Sequence, residues 1–324
     1  MAVTLTDYGT ANKYETLIQA YQEDIGNWLP QFEAFTTLSS ENAGAKQVWA
    51  DHPVGQIGVH NTTTIATHEH GSAAKVSVTP TAYSGKLVFT EIEEARDSNI
   101  VAAGAAKLMS GAKRTFEKLV FDALPLGITA TEVPTGDSGA SVRIFSASHT
   151  DGTSTQSNLG TAALSHSSLN DSRVAMRKWK NTAGEPLELD RGPLALVVPP
   201  ELGDTARRLV GSPMYAQTFT DNATATSGST DRLTGAAAIG AAGAHMNPQA
   251  QRPFSIIESA YLSDSNNWYL FSTENTPLNL WVPTPPSIAI IQDVANRNWV
   301  VSVLFEAKVY WRAPVSGCFG ASVS

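Results

Sequence analysis

One long helical stretch follows directly after a β-rich stretch, and this pair limits the folds that the chain can adopt. Residues 90–123 contain no proline and repeat apolar residues at helical spacing. Thr90 and Glu93 have the spacing of a capping box, which satisfies free backbone N–H groups at a helix start. Pro125 and Gly127 are expected to end the helix, which at about thirty residues would be a rod of about 45 Å. The apolar positions are Ile92, Ala95, Val101, Leu108, Ala112, Phe116, Leu119 and Val120.

The residues before this helix predict a long β-hairpin over positions 47–90. Residues 75–79 alternate apolar and polar side chains, and residues 86–89 form a second short β-rich run. The middle of the predicted hairpin, residues 61–72, precedes both runs; it is rich in threonine and histidine and has little to bury. Because an isolated two-stranded ribbon is barely stable in water, a projecting hairpin of this kind needs a partner surface.

Residues 1–46 predict an arm that contains one amphipathic helix. Tyr14, Ile18, Tyr21, Ile25 and Leu29 recur at spacings of three and four and form one apolar stripe. A lone helix of this length is marginal in water. We therefore expect it to dock either on the body of its own chain or on a neighbouring subunit.

The remainder of the chain alternates single helices with strands. Ser165 or Ser168 can cap a helix that runs to Lys180, and the continuous apolar run 194–198 is typical of a strand buried on both faces. No internal repeat is present, so the fold class is predicted to be α+β. The other predicted elements are strands at 142–145, 255–258, 268–271, 278–282 and 300–311, a helix at 201–210 and a low-complexity loop at 220–248.

Composition excludes several classes of protein. The charged fraction is 16%, below the roughly 25% of soluble domains, which suits a surface that meets other subunits. A net charge of −8 argues against a nucleic-acid-binding module, whose footprint is basic. Cys318 is the single cysteine, which excludes an intrachain disulfide and a cysteine-cluster zinc site and fits a reducing cytoplasm. We expect no signal peptide, and the weakly polar run 235–246 is too short to span a bilayer.

One short motif resembles a catalytic signature. Gly136, Asp137, Ser138 and Gly139 spell the nucleophile sequence of chymotrypsin-like proteases, in which the serine needs a histidine base and a buried carboxylate. The context differs, because a long helix precedes the motif and Ala140 stands where another glycine is expected. A turn between two strands accounts for these residues, and we assign no catalytic residue.

Three further groups of residues are candidates for a metal, phosphate or paired-carboxylate site. His68 and His70 flank Glu69 in an extended stretch near His60, and imidazoles bind zinc, nickel or copper. A full ligand set is lacking, so a solvated hairpin tip is the favoured interpretation. We therefore assign no metal and no cofactor. The second group is three glycines, which lack the spacing of a phosphate loop: Gly235, Gly240 and Gly243. The third is three carboxylates, which are explained by their favourable interaction with a helix dipole: Glu93, Glu94 and Asp97.

The order of these parts resembles the Hong Kong 97-like capsid fold of tailed bacteriophages. Local sequence is similar to the Mu-like major head subunit group from about residue 90 to the end of the chain. The similarity is strongest at residues 184–187, 196–202 and 205–209. It extends over residues 145–149, 163–166, 175–178, 256–258, 261–262 and 268–270.

The resemblance implies a division of the chain and a function. Residues 1–46 would be the N-terminal arm, 47–90 the E-loop, 91–160 the P-domain with its spine helix, 161–296 the A-domain and 297–324 the return strand of the P-domain. The subunit would assemble into hexamers and pentamers in the host cytoplasm and form the virion capsid. That shell would enclose double-stranded DNA without sequence-specific binding and without a membrane.

The resemblance also implies partners, namely a scaffold, a portal and decoration proteins. The family's lysine–asparagine crosslink would need a hairpin lysine such as Lys75 or Lys86, and non-covalent stabilisation is the default expectation. No coiled-coil scaffolding segment opens the sequence, so either the scaffold is separate or this is a cleaved form.

Two other functions stay open at this point. An encapsulin-like nanocompartment would use the same fold to enclose an enzyme. A soluble α+β hydrolase or metal-binding enzyme would need a complete site, which the sequence does not provide.

Overall fold

The structure is a computed structural model that describes most of the chain. The described residues are 18–20, 23–24, 28, 30–41, 44–49, 75–129, 143–151, 154–180, 184–212, 214–215, 245–247, 249, 252–293, 295–311, 318–321 and 323. In that part of the chain, no helix is both long and apolar enough to cross a membrane.

Fifteen strands and four α-helices are described, with one 3-10 turn at Gln31–Ala34. The helices are α1 (Glu91–Arg96), α2 (Ile100–Thr129), α3 (His166–Lys178) and α4 (Pro200–Gly211). The strands are β1 (Thr36–Ser39), β2 (Lys46–Trp49), β3 (Lys75–Val78), β4 (Thr81–Phe89), β5 (His149–Asp151), β6 (Ser154–Gln156), β7 (Leu159–Gly160), β8 (Leu194–Val198), β9 (Met214–Tyr215), β10 (His245–Met246), β11 (Phe254–Glu258), β12 (Trp268–Ser272), β13 (Leu278–Gln292), β14 (Trp299–Trp311) and β15 (Cys318–Ala321).

A four-stranded sheet in the order β1-β13-β14-β4 packs against the long helix α2. β14 alternates between buried and more exposed residues from Trp299 to Lys308, and Val301, Val303, Phe305 and Ala307 point into the core, as period-two geometry requires. The pairing of β13 with β14 shifts register twice between Trp281 and Ser287. Prolines at 283, 285 and 286 lie in this stretch and cannot donate to a ladder, which accounts for the irregularity.

A five-stranded sheet in the order β11-β8-β12-β15-β7 forms the second half of the fold. Ala195 and Val197 of β8 pack into the core that α2 shares, while Leu194, Leu196 and Val198 pack against α3 and α4. Because β8 is covered on both faces, it is a continuous apolar run, and the predicted strand at 194–198 is confirmed.

The helices predicted at 90–123, 165–180 and 201–210 are confirmed, with two differences in the long one, and the described residues 18–20 and 23–24 of the predicted arm helix are helical. Thr90 caps α1 through a complete capping box, but the backbone is extended at Asp97 and α2 starts only at Ile100. The predicted stop at Pro125 is wrong, since α2 continues to Thr129 with Pro125 inside it. A proline removes one N–H bond to the carbonyl four residues earlier. That loss is tolerated here because the flanking residues Leu124 and Ile128 are buried.

The structure describes an antiparallel stem within the predicted hairpin, and the run 86–89 lies outside that stem. β3 pairs with β2, in antiparallel register from Lys46↔Val78 to Trp49↔Lys75. The run 86–89 instead belongs to β4, which pairs with β14 in the four-stranded sheet. Strand pairing depends on long-range packing, which alternation within a single strand does not specify.

Three other elements differ from the sequence expectation. Described residues 143–145 are not a strand, although Ile144 and Phe145 are fully buried. The strand predicted at 278–282 is β13, which extends to Gln292 and pairs with β14, so the predicted boundary at residue 296 does not follow the sheets. After β14 the chain returns to the five-stranded sheet as β15. Each of these outcomes depends on which distant strand a segment meets.

Candidate assembly surfaces

The segment before β1 is anchored on the body of its own chain. The Trp28 ring stacks on Phe116 of α2 with centroids 6.3 Å apart, and Lys113 Nζ donates to Asp24 Oδ2 at 2.6 Å. Phe35 is fully buried and stacks on Phe271 at 4.9 Å. Ile18 also packs against this core, so the predicted arm joins the body from residue 18 onward, while residues 1–17 lie outside the described part.

The β2/β3 stem of the hairpin is fixed to one end of the four-stranded sheet. Val78 is buried in a small cluster with Trp281 and Tyr310. Trp281 Nε1 donates to the Glu41 carbonyl at 2.7 Å, and Lys46 Nζ lies 2.8 Å from a Glu41 carboxylate oxygen. The stem is therefore held against the sheet by packed side chains and by one ion pair.

The acidic residues at the start of the long helical stretch are engaged by backbone groups. Thr90 N donates to Glu93 Oε2 at 2.8 Å, and the return bond from Glu93 N to Thr90 Oγ1 is 3.3 Å. The first of these bonds, with the Thr90 hydroxyl, holds the pKa of Glu93 below its usual value. Asp97 Oδ1 accepts from Asn99 N at 2.9 Å, so it forms the turn between α1 and α2.

An apolar row crosses the outer face of the four-stranded sheet, opposite α2. Val88 of β4 and Ile291 of β13 both pair with Val300 of β14, and both are at least half exposed. Leu304 of β14 is exposed on the same face, and Ile92 is exposed on the adjoining α1. We define Val88, Ile291, Val300 and Leu304 as the outer-face row. Exposed apolar groups on one face are typical of contact surfaces.

Most candidate chemical residues lie outside the described part of the chain. This holds for Gly136, Asp137, Ser138 and Gly139. Within the described ranges, no group of three or more histidine, cysteine, aspartate or glutamate side chains is placed to hold a metal ion. Lys86 is exposed on β4, and Lys75 is described only in its backbone. The other candidates outside the description are His60, His68, Glu69, His70, Gly235, Gly240 and Gly243.

A buried group of hydrogen bonds within residues 144–158 was not predicted from the sequence. His149 Nε2 lies 2.9 Å from both the Ile144 carbonyl and Asn158 Oδ1. Both neighbours accept hydrogen bonds, so the hydrogen is on Nε2. Asn158 Nδ2 donates to the same carbonyl at 2.7 Å, and Phe145 N donates to the Gly127 carbonyl at 3.0 Å. Burial holds the pKa of His149 below its usual value.

The sequence from residue 73 to 314 matches the profile of a family described as phage capsid protein. No curated protein is similar enough in sequence to count as a relative. The match leaves the Mu-like group a prediction.

Solved shell structures share the fold at low sequence identity. A virus-like particle from Pyrococcus furiosus is 12% identical, with a TM-score of 0.50 over 95% of this chain and 98% of that one. The capsid of a native GTA particle is 8% identical, with a TM-score of 0.53 over 91% and 90%. The head of Helicobacter pylori bacteriophage KHP40 is 11% identical, with a TM-score of 0.52 over 91% and 92%. The α+β architecture is therefore the Hong Kong 97-like one.

Proposed function

Since the chain belongs to the phage capsid protein family and is a shell-forming structural subunit, we propose that its copies form hexamers and pentamers. These rings close into the icosahedral head of a tailed bacteriophage, around double-stranded DNA. The subunit carries out no catalysis and needs no cofactor. It assembles in the host cytoplasm with a scaffold and a portal, and decoration proteins bind the finished shell.

The observation that carries this proposal is the extent of the family match. Residues 73–314 include β3, β4, all four helices and both large sheets except β1 and β15. The match therefore covers the element order that defines the fold, and a shared fragment cannot explain it. The net charge of −8 suits a wall that encloses DNA without gripping it, because like charges repel.

We propose a division of the described elements that follows the sheets. The P-domain comprises the four-stranded sheet with α1 and α2, and the A-domain comprises the five-stranded sheet with α3 and α4. The β2/β3 stem then carries the E-loop, whose tip includes residues 50–74. This division moves β13 from the A-domain to the P-domain and β15 from the P-domain to the A-domain.

Electron microscopy of the purified protein tests the assembly. We expect closed particles or rings of five and six subunits, whereas a persistent monomer under all assembly conditions would refute the proposal. The nanocompartment alternative predicts shells that enclose a protein cargo. Shells from infected cells that protect DNA from nuclease and carry one portal vertex argue for the phage head, and shells that hold a protein cargo and no DNA argue for the alternative.

The anchored stem supports a role for the hairpin in subunit contacts. A ribbon that projects from the body leaves backbone groups unpaired, and cyclic symmetry repeats any contact that it makes. We propose that the E-loop lies over the spine helix α2 of the adjacent subunit. The exposed side of α2, including Lys107 and Arg114, provides the surface for it.

Deleting residues 61–72 and closing the gap with an Asn-Gly turn tests this contact. The stem and its cluster at Val78 remain, so the subunit should stay soluble and folded by circular dichroism while particle formation is lost. A control variant replaces residues 61–72 by an equally long glycine–serine segment, which restores the length without the native side chains. Intact shells from the deletion would contradict the proposed contact.

A further inference from the structure

Three arginines converge on one buried carboxylate at the base of α3. Arg177 binds Asp190 in a bidentate manner, with Nε to Oδ1 at 2.8 Å and NH2 to Oδ2 at 2.9 Å. Arg173 NH2 lies 3.4 Å from Asp190 Oδ2, and Arg252 NH1 lies 3.3 Å from the same oxygen and 3.0 Å from the Asp190 carbonyl. We call these four residues the arginine cluster.

The arginine cluster carries more positive than negative charge. Among the described residues, Asp190 is the one carboxylate bonded to Arg173, Arg177 or Arg252, so the cluster itself carries two more positive than negative charges. Glu188 adds a negative charge near Arg177, but it is itself paired with Arg191. A buried charge is costly unless it is paired. Burial and the nearby charge of Arg252 lower the pKa of Arg173, which is the response expected of a site with too little negative charge. Arg173 Nε is also buried without a hydrogen-bond partner.

Two of the arginines present their free donors to solvent. The Asp190 side chain is 1% exposed and that of Arg173 10%, whereas Arg177 is 47% and Arg252 34% exposed. A guanidinium has five N–H donors in a fixed planar fork. Asp190 engages only some of those on Arg177 and Arg252, and both heads bond the same carboxylate, so their remaining donors lie close together. This geometry suits one further carboxylate, bound by two forks.

We propose that a carboxylate from a second copy of this chain binds Arg177 and Arg252, so that the arginine cluster is completed only between assembled subunits. The inference rests on the proposed function, which places copies side by side. Charge favours this occupant, because each copy carries 30 acidic against 22 basic residues and therefore presents surplus carboxylates. Asp190 cannot itself be the carboxylate that binds on assembly, because its side chain is buried and already bonds three arginines.

Arginine-specific modification tests the contact without altering the protein. Unassembled subunits, DNA-free shells and DNA-filled shells are treated with phenylglyoxal, and the modified sites are mapped by mass spectrometry. We expect Arg177 and Arg252 to react in the free subunit and to be protected at least about tenfold in DNA-free shells, as a buried charge pair would be. Equal reactivity in subunit and shell overturns the inference.

Two other occupants give different patterns. Protection already present in the free subunit would mean that an acid of the same chain fills the site, and protection only in DNA-filled shells would mean that phosphate groups do. Either pattern overturns the inference. Wild-type protein that forms no shells refutes the proposed function as well, whereas shells with reactive arginines refute this inference alone.

A charge-matched pair of variants measures the effect on assembly. Arg177→Gln should raise the subunit concentration needed for half-assembly by about tenfold or more, and Arg208→Gln should not. Arg208 is a fair control because it is exposed and pairs with Asp204 on its own helix. Thermal unfolding of each unassembled variant checks that the fold is kept. Equal half-assembly concentrations for the two variants would contradict the proposed contact.

Crosslinking identifies the chemistry of the partner. Arg177→Lys places an amine that a carbodiimide can join to a carboxylate in direct contact. Shells assembled from mixed isotopically labelled and unlabelled subunits should yield an amide between Lys introduced at 177 and an aspartate or glutamate of the other label. Crosslinks confined to Asp190 of the same copy would show that the second copy contributes no carboxylate.

Discussion

Replacing Asp190 by asparagine removes the negative charge that holds the arginine cluster together. Arg177 and Arg252 are partly exposed and can turn to water, but the Arg173 side chain is 10% exposed and would remain as a buried cation. Breaking a buried pair from one side costs roughly 3–5 kcal/mol. Because Arg173 is the one partner that stays buried, we expect the free energy of unfolding to fall by an amount near the lower end of this range, about 3 kcal/mol.

The assay is urea unfolding of unassembled subunits at neutral pH, followed by circular dichroism. The midpoint should fall while the slope of the transition stays constant, which marks a change in stability and not in the denatured state. Asp204→Asn is the matched control, since Asp204 pairs at the surface with Arg208 at 2.6 Å. An exposed pair of this kind contributes about 0–1 kcal/mol. The Asp190 effect should also persist in high salt, because buried pairs are screened much less than exposed ones.

The reasoning about the cluster fails if Asp190→Asn costs less than about 1 kcal/mol or no more than the Asp204 variant. Either result would mean that water and Gln249, whose Oε1 accepts from Arg173 NH1, are enough to stabilise the buried cation. The cluster would then tolerate unpaired positive charge, and the reason to expect a second carboxylate would be lost.

Two further predictions concern pH and the long helix. The buried His149 has a lowered pKa while an unfolded histidine titrates near about 6.5, so the unfolded state binds more protons and stability should fall as pH drops below that value. Urea midpoints between pH 5 and 8 check this, and an equally steep dependence in His149→Gln would contradict it. Gly111→Ala should stabilise α2 by roughly 0.5–1 kcal/mol, because a Cβ there meets nothing within 4 Å. Gly104→Ala should give no such gain, since its Cβ would lie 2.5 Å from the Phe89 ring; equal melting temperatures for the two variants would show that Phe89 yields freely.

Elements governed by neighbours along the chain were predictable from the sequence. Thr90 and Glu93 interact across three residues, so their capping box is a local property. The continuous apolar run of β8 indicates a strand that is covered on both faces, and the alternation of β14 indicates one that is covered on one face. Both patterns can be read from the residues of the strand alone. Ser165, one of two predicted caps, starts α3 with its own capping box. The fold class followed from the order of such elements.

Pairing and charge clustering were decided by the tertiary structure alone. β3 pairs with β2 and β4 with β14, a choice that depends on which surfaces meet and not on alternation. Pro125 lies within α2 because the core holds the residues beside it. Arg177 lies 13 residues before Asp190 and Arg252 lies 62 residues after it, and each alone is an ordinary charged residue. The three side chains come together because β8 and β11 begin side by side next to the end of α3. No spacing in the sequence encodes that proximity.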